Sequence, residues 1–217
     1  MSLNKVIELA TKDLGYTESP PGTNNNKYGK AYGINNVPWC VQCQWYWFKE
    51  AGESMAFFGN GKTASCTTLY RWYKEQGQTV PIVDIQPGDI VLLNFHHTSS
   101  HEHCGLVISV TNKPNRMFSI TTIEGNTSPG LEGSQDNGGC VAKKIRYASQ
   151  ITGVCRPMYT EEKPMIDDIS GHWAEKSIKK AKTKAIMKGY PDGSFKPDQD
   201  LTRAEFVTVL DRLGLLD

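Results

Sequence analysis

Apolar positions in the first part of the chain fall first at helical and then at extended spacing. Leu3, Ile7, Ala10 and Leu14 form one stripe behind Ser2, a residue suited to an N-cap, with Gly15 as the stop. The run from Ser19 to Asn26 is rich in Pro, Gly and Asn and reads as loop. Pro38 disfavours helix at the residue before it, so a second helix opens at Trp39 or Cys40, runs to Ala51 and ends at Gly52. A third covers Ser65 to Gln76, closed by Gly77. The period then changes. Asp89–Phe95, Gly105–Val110 and Met117–Ile123 are apolar and β-branched, with Asn112-Lys113-Pro114-Asn115 as a turn between the last two. Helices followed by an antiparallel meander define an α+β arrangement.

The pattern shifts again near residue 160. Thr160-Glu161-Glu162-Lys163-Pro164 is polar, ends in Pro and reads as a linker, giving a first domain over 1–159, a linker over 160–165 and a small all-α module over 166–217. In that module Ser170-Gly171-His172-Trp173 starts a helix with Ala174, Ile178, Ala181 and Ala185 on one face, stopped by Gly189. Its other faces hold six lysines, among them Lys176, Lys180 and Lys184. Pro191-Asp192-Gly193 is a turn. Thr202 and Glu205 then form a capping box ahead of Phe206, Val209, Leu210 and Leu213.

Composition narrows the function classes. A net charge of +1 over 217 residues gives no field to draw in nucleic acid. No apolar run reaches the roughly 20 residues that span a bilayer, so membrane insertion is not expected. The first residues, Met1 to Glu8, break their apolar positions with charge, so a cleaved secretory peptide is not expected either. The six cysteines, Cys40, Cys43, Cys66, Cys104, Cys140 and Cys155, are expected as reduced thiols, most of them buried, with at least one reactive.

Cys40 is the candidate nucleophile. A thiol in the first helical turn sits against the positive end of the helix dipole, which favours thiolate. A hairpin centred on the 112–115 turn sets His103 opposite Glu124, where an imidazole can reach a carboxylate. Nucleophile, base and orienting acid are the parts of a thiol hydrolase. Two other readings stay open. Cys40-Val41-Gln42-Cys43 also matches Cys-x-x-Cys, and with His96, His97, His101, His103 and Cys104 it could serve zinc. A binding protein without catalytic activity is the other.

Trp39-Cys40, Gly88-Asp89-Ile90-Val91, His103-Cys104-Gly105-Leu106-Val107 and Ile123-Glu124-Gly125-Asn126-Thr127-Ser128, in that order, resemble the motifs of CHAP domains. These are cysteine, histidine-dependent amidohydrolases/peptidases of phage endolysins and bacterial wall enzymes. The resemblance implies a papain-like fold and a peptidoglycan amide as substrate, cut by an amidase or an endopeptidase. It implies Cys40 as nucleophile, His103 as base, Glu124 as orienting acid and Asn126 as an assisting residue. Trp39 beside the nucleophile, and Tyr28 in the preceding loop, are candidates for the cleft wall. No cofactor is expected. Asn24-Asn25-Asn26 lacks the carboxylates of a calcium loop, so no metal site is carried over.

Asp168-Ile169-Ser170-Gly171-His172-Trp173-Ala174, the run from Gly189 to Pro197, and Thr202-Arg203-Ala204-Glu205-Phe206 resemble an S-layer homology module. The resemblance implies binding to an anionic secondary wall polymer, with Trp173 and Arg203 as contacts. A planar guanidinium suits a carboxylate, and clustered lysines favour a polyanion. Such modules commonly come in threes, so either three chains assemble as a homotrimer or one module binds weakly and raises local concentration. The whole then reads as a wall hydrolase made in the cytoplasm and released at lysis, as phage lysins are; the alternative the resemblance leaves is a noncatalytic wall-binding or S-layer-associated protein.

Overall fold

The computed structural model describes residues 3–96, 101–111, 118–160, 168–190 and 194–216. The chain divides into two compact units, Met1–Glu161 and Glu162–Asp217. The turn expected at 112–115, the position of His97, most of the expected linker and the Pro191-Asp192-Gly193 turn lie outside the described residues.

The first unit is α+β. It runs α1 (Leu3–Lys12), α2 (Lys27–Tyr32), α3 (Cys40–Glu50), α4 (Ser54–Phe58), α5 (Cys66–Glu75), β1 (Ile90–Leu93), β2 (His103–Thr111), β3 (Ser119–Thr127), β4 (Cys140–Tyr147) and β5 (Ile151–Cys155). The antiparallel sheet has the order β4-β3-β2-β1-β5, a four-stranded meander with β5 returning to pair with β1. The sequence pattern missed α2 and α4, which are five or six residues long and carry too little periodicity to register. It also missed β4 and β5. In β4, Lys144 and Arg146 are buried while Ile145 and Tyr147 are exposed, the reverse of the usual alternation.

Strand alternation divides the buried residues into two clusters. Ile90, Leu92, Cys104, Leu106, Ile123 and Val141 pack with α1, α3 and α5, while Val91, Leu93, Val107, Ile120 and Val154 form the other cluster. Asp13, just past α1, ties the helices together. Its carboxylate accepts hydrogen bonds from Trp47 Nε1 at 2.9 Å and Tyr28 OH at 2.8 Å, and it pairs with Lys27.

One expected register is corrected. Leu106 faces Ile123 and Val107 faces Thr122, with a bulge before Ser109. Continued along the ladder, this sets Glu124 beside Gly105, two residues on from His103. The pairing already departs from the expected register at Thr111–Ser119 and Val110–Ile120, on the near side of the bulge, and the bulge takes back one residue of that offset.

In the second unit, α6 spans Glu175–Thr183 and α7 spans Arg203–Arg212. The capping box at the start of α7 forms, with Glu205 N donating to Thr202 Oγ1 and Thr202 N to Glu205 Oε2. Asp168 accepts backbone hydrogen bonds from Phe195 and Lys196, closing the loop between the helices. Among the described residues no helix is long and apolar enough to cross a membrane.

Asp13→Ala would leave the Trp47 and Tyr28 donors buried without an acceptor, each costing about 1–3 kcal/mol. Urea unfolding of this variant is expected to show a loss of about 2–4 kcal/mol in the first unit.

Candidate active site

The site is built from the fronts of α3 and α5, the start of β2 and the later residues of β3 and β4. Cys40 is the first residue of α3, and its N-cap, Trp39, offers no side-chain hydrogen bond to the helix. The first-turn N–H groups therefore have no side-chain acceptor there, and their positive end faces the thiol. Cys66 is likewise the first residue of α5. The Cys40 and Cys66 sulfurs are 3.8 Å apart. Hydrogen bonds from Cys104 and then Cys66, with a further contribution from His103, hold the Cys40 thiol well below the ordinary thiol range despite its burial. Cys104 and Cys66 are themselves pushed up, Cys104 chiefly by its contact with Cys40. The contacts of the three thiols thus favour ionisation at Cys40 over Cys66 and Cys104.

His103 and Glu124 come together, diagonally rather than face to face. His103 Nε2 lies 3.1 Å from Glu124 Oε2, and both side chains are fully buried. The other ring nitrogen, Nδ1, is buried without an aligned hydrogen bond. It is the nitrogen left for Cys40, with which the ring interacts. Burial alone would depress His103, but its contacts with Cys40 and Glu124 raise it to about 9.

Glu124 is held by a residue that sequence reasoning missed. Arg146 clasps it with two hydrogen bonds, Nε to Oε1 at 2.8 Å and Nη2 to Oε2 at 2.6 Å. Thr122 Oγ1 donates to Oε1 at 2.6 Å. Burial would raise Glu124, but Arg146 first and His103 second bring it down to about 2. Arg146 in turn lies over the ring of Phe95, its guanidinium carbon 4.6 Å from the centroid. The signal was present in the sequence. Lys144 and Arg146 alternate in a strand-like run, and two cations on one strand face need an acidic partner.

Gly105 makes room for this arrangement. A Cβ there would stand 2.8 Å from Glu124 Cγ and 3.1 Å from Thr122 Cβ. Any side chain would therefore push the carboxylate away.

Other expected site residues take different places. Trp39 and Tyr28 are fully buried, so neither forms a cleft wall. They stack on each other at 5.2 Å, and Trp39 Nε1 donates to Glu18 at 3.1 Å. Large rings gain more from burial here than from solvent exposure. Asn126 is buried in the left-handed region and spends its amide on the β3–β4 connection, bonding Asn137 and Gly139. Cys43 lies apart from the thiol cluster, where a Cβ on Gly125 would meet its sulfur at 2.5 Å, so the Cys-x-x-Cys spacing does not form a ligand pair. His96 pairs with Glu102 at 3.0 Å, and His101 bonds Thr152 at 2.8 Å.

In the second unit Trp173 is 90% exposed, which excludes a core role for it. It lines a cleft of about 670 Å³ together with Tyr190, Lys188, Lys196 and Arg212. Arg203 is exposed in the first turn of α7, next to Ala204 and Glu205 of the cleft lining, but does not line the cleft itself.

Comparison with known proteins agrees with this division. Residues 32–126 match the family model of the CHAP domain, and residues 166–207 match that of the S-layer homology domain. The chain thus carries a CHAP domain followed by an S-layer homology domain. Cell surface glycoprotein 1 of Acetivibrio thermocellus is 55% identical over 47 residues, which is 22% of this chain and 2% of that protein. The Cellulosome-anchoring protein of the same organism is 43% identical over 53 residues, 24% of this chain and 12% of that one. The S-layer protein EA1 of Bacillus anthracis is 30% identical over 66 residues, 30% of this chain and 8% of that one. The chain therefore spans no more than about an eighth of the length of these relatives. Among solved structures, the wild-type endolysin LysIME-EF1 aligns with TM-score 0.42 and 13% identity, over 72% of this chain and 64% of that one. Ly7917 aligns with TM-score 0.45 and 12% identity, over 72% and 62%.

Two outcomes follow from the site. Iodoacetamide alkylation of Cys40, read by peptide mapping, is expected to stay fast well below pH 8.5, the ordinary thiol pKa of roughly that value being displaced downward. A rate that falls away below that pH would contradict the thiolate. Arg146→Met removes the two-pronged partner of the buried Glu124 carboxylate and leaves it only His103 and Thr122, and is expected to cost about 3–5 kcal/mol in denaturant unfolding at pH 7. Glu124 has its folded pKa depressed, so that stability is present above about pH 4.5 and is lost as pH falls toward about 2. The wild-type advantage over Arg146→Met should shrink over that window.

Proposed function

We propose that the chain is a peptidoglycan hydrolase that cuts an amide of the wall peptide, as an N-acetylmuramoyl-L-alanine amidase or an endopeptidase. The observation that carries this reading is the buried line Arg146–Glu124–His103, which ends in a ring nitrogen free to serve the Cys40 thiol. The match of residues 32–126 to the CHAP domain supports it.

In this mechanism Arg146 keeps Glu124 ionised, and Glu124 holds Nε2 of His103 so that Nδ1 carries the mobile proton. The Cys40 thiolate attacks the amide carbonyl carbon. Backbone N–H groups at the front of α3 steady the oxyanion. His103 Nδ1 then gives its proton to the leaving nitrogen, the C–N bond breaks and a thioester remains on Cys40. Now neutral, His103 takes a proton from water. The resulting hydroxide opens the thioester to a carboxylic acid, which passes its proton to the released amine, and the thiolate–imidazolium pair is restored. Charge balances at every stage without a cofactor.

The second unit serves as the wall anchor in this reading. Exposed Trp173, Arg203 and the lysines of α6 give an aromatic and cationic surface for an anionic secondary wall polymer. Phe206, Val207 and Leu213 are also exposed, an apolar surface that supports assembly of several copies, three by resemblance to modules that occur in threes. Anchoring keeps the catalytic unit at high local concentration on its substrate at the cell wall.

Purified sacculi test the proposal. Wild type is expected to clear them and to release new amino groups, whose residues identify the scissile bond by mass spectrometry. Cys40→Ala should lower the rate at least about a thousandfold. Clearing by Cys40→Ala at the wild-type rate would end this reading.

A further inference from the structure

Three thiols from three separate elements meet at the front of α3. Cys40 opens α3, Cys66 opens α5, and Cys104 lies in β2 next to His103. All three are buried, and their sulfurs lie within 4.8 Å of one another. Nucleophilic chemistry needs only one of them. Packing does not need thiols at the other two positions either, since small apolar side chains would fill the same core.

The spacing has a specific chemical meaning. A tetrahedral d¹⁰ cation with metal–sulfur bonds of about 2.3 Å holds its sulfurs about 3.8 Å apart. The Cys40–Cys66 separation is already 3.8 Å. Sulfurs no more than 4.8 Å apart enclose a point within a few tenths of an ångström of bonding distance from all three. A second and independent observation points the same way. His103 Nδ1 is fully buried, makes no aligned hydrogen bond and belongs to a ring that contacts Cys40. It adjoins the three-sulfur group without belonging to it. Cys40 and Cys66 each keep a small solvent-exposed surface, 5% and 7%, which gives an entry path.

We propose that Cys40, Cys66 and Cys104 form a three-sulfur site beside His103 for a thiophilic d¹⁰ cation of the zinc class, and that a cation bound there switches the hydrolase off. The inhibitory half rests on the function proposed above, while the binding half does not. On binding, the Cys40 thiolate coordinates directly, and Cys66 and Cys104 lose their thiol protons to solvent as their sulfurs coordinate. The nucleophile is consumed as a ligand. A chelator that removes the cation returns the Cys40 thiolate, and Cys66 and Cys104 take their protons back from solvent, so the off state is reversible without any redox step.

Cadmium titration of the full chain tests this. The protein is first stripped with EDTA and kept in a phosphine reductant, so that disulfides cannot form. The expected result is a thiolate-to-cadmium charge-transfer absorption saturating at one equivalent. Cys66→Ser and Cys104→Ser should each weaken binding at least about tenfold, since a lost ligand costs no less than a lost outer-sphere partner. Cys140→Ser should bind like wild type. Peptide mapping on unmutated protein provides a reading that does not depend on variants folding. Cadmium should protect Cys40, Cys66 and Cys104 from alkylation and leave Cys140 reactive. Absence of the absorption in wild type, or protection that omits Cys66 and Cys104, overturns the proposal. Zinc at one equivalent should stop sacculus clearing, and EDTA should restore it. If stripped enzyme never clears sacculi while the cadmium absorption persists, the hydrolase reading fails and the metal site stands.

Discussion

The first unit depends on the ionised carboxylate of Glu124 being kept dry. A lone buried charge would cost several kcal/mol or lose its ionisation. Arg146 prevents both with a two-pronged clasp, and Thr122 fills a remaining acceptor position. The geometry around them follows from this need. Position 105 must be glycine-sized so that the carboxylate can lie across β2. Phe95 covers the guanidinium and keeps water from loosening the clasp. The strand that supplies Arg146 must turn its cations inward and its Ile145 outward.

That fixed charge is transmitted one atom at a time. Glu124 fixes His103 through Nε2, and burial leaves Nδ1 with a single direction in which to act. At Cys40 the selection of thiolate over thiol comes from the front of a helix and from neighbouring thiols that donate toward it. Stability and reactivity therefore draw on the same residues. The positions that make the site reactive also make it a trap for soft cations, because a thiolate surrounded by thiols resembles a ligand set.

The two units meet their burial requirements differently. The first encloses Trp39, Trp47, Phe48 and Leu92 almost completely. The second leaves Trp173 and Phe206 in solvent and holds its loop with Asp168 and its helix start with Thr202 and Glu205. Local hydrogen bonding can close so small a module, but the module cannot hide its rings. Those rings remain available for recognition.

The local chemistry of the chain was sufficient to place Cys40 at a helix front, to set the Thr202–Glu205 capping box, and to give the α+β order of helices before strands. Each is decided within a few neighbouring residues by caps, breakers and side-chain period. The likeness of its motifs also singled out His103 and Glu124 before any fold was known. Tertiary structure alone decided the rest. The register of β2 on β3, already offset at Thr111–Ser119, made the His103–Glu124 contact diagonal, and no local rule sets how two strands slide past each other. Trp39 and Tyr28 went into the core because α1, α2 and α3 close around them. Arg146, Cys66 and Cys104 joined the site across gaps of 22, 26 and 64 residues from the groups they serve. Proximity across such gaps is fixed by packing, which depends on the whole sequence at once, whereas helix starts and caps depend only on their neighbours.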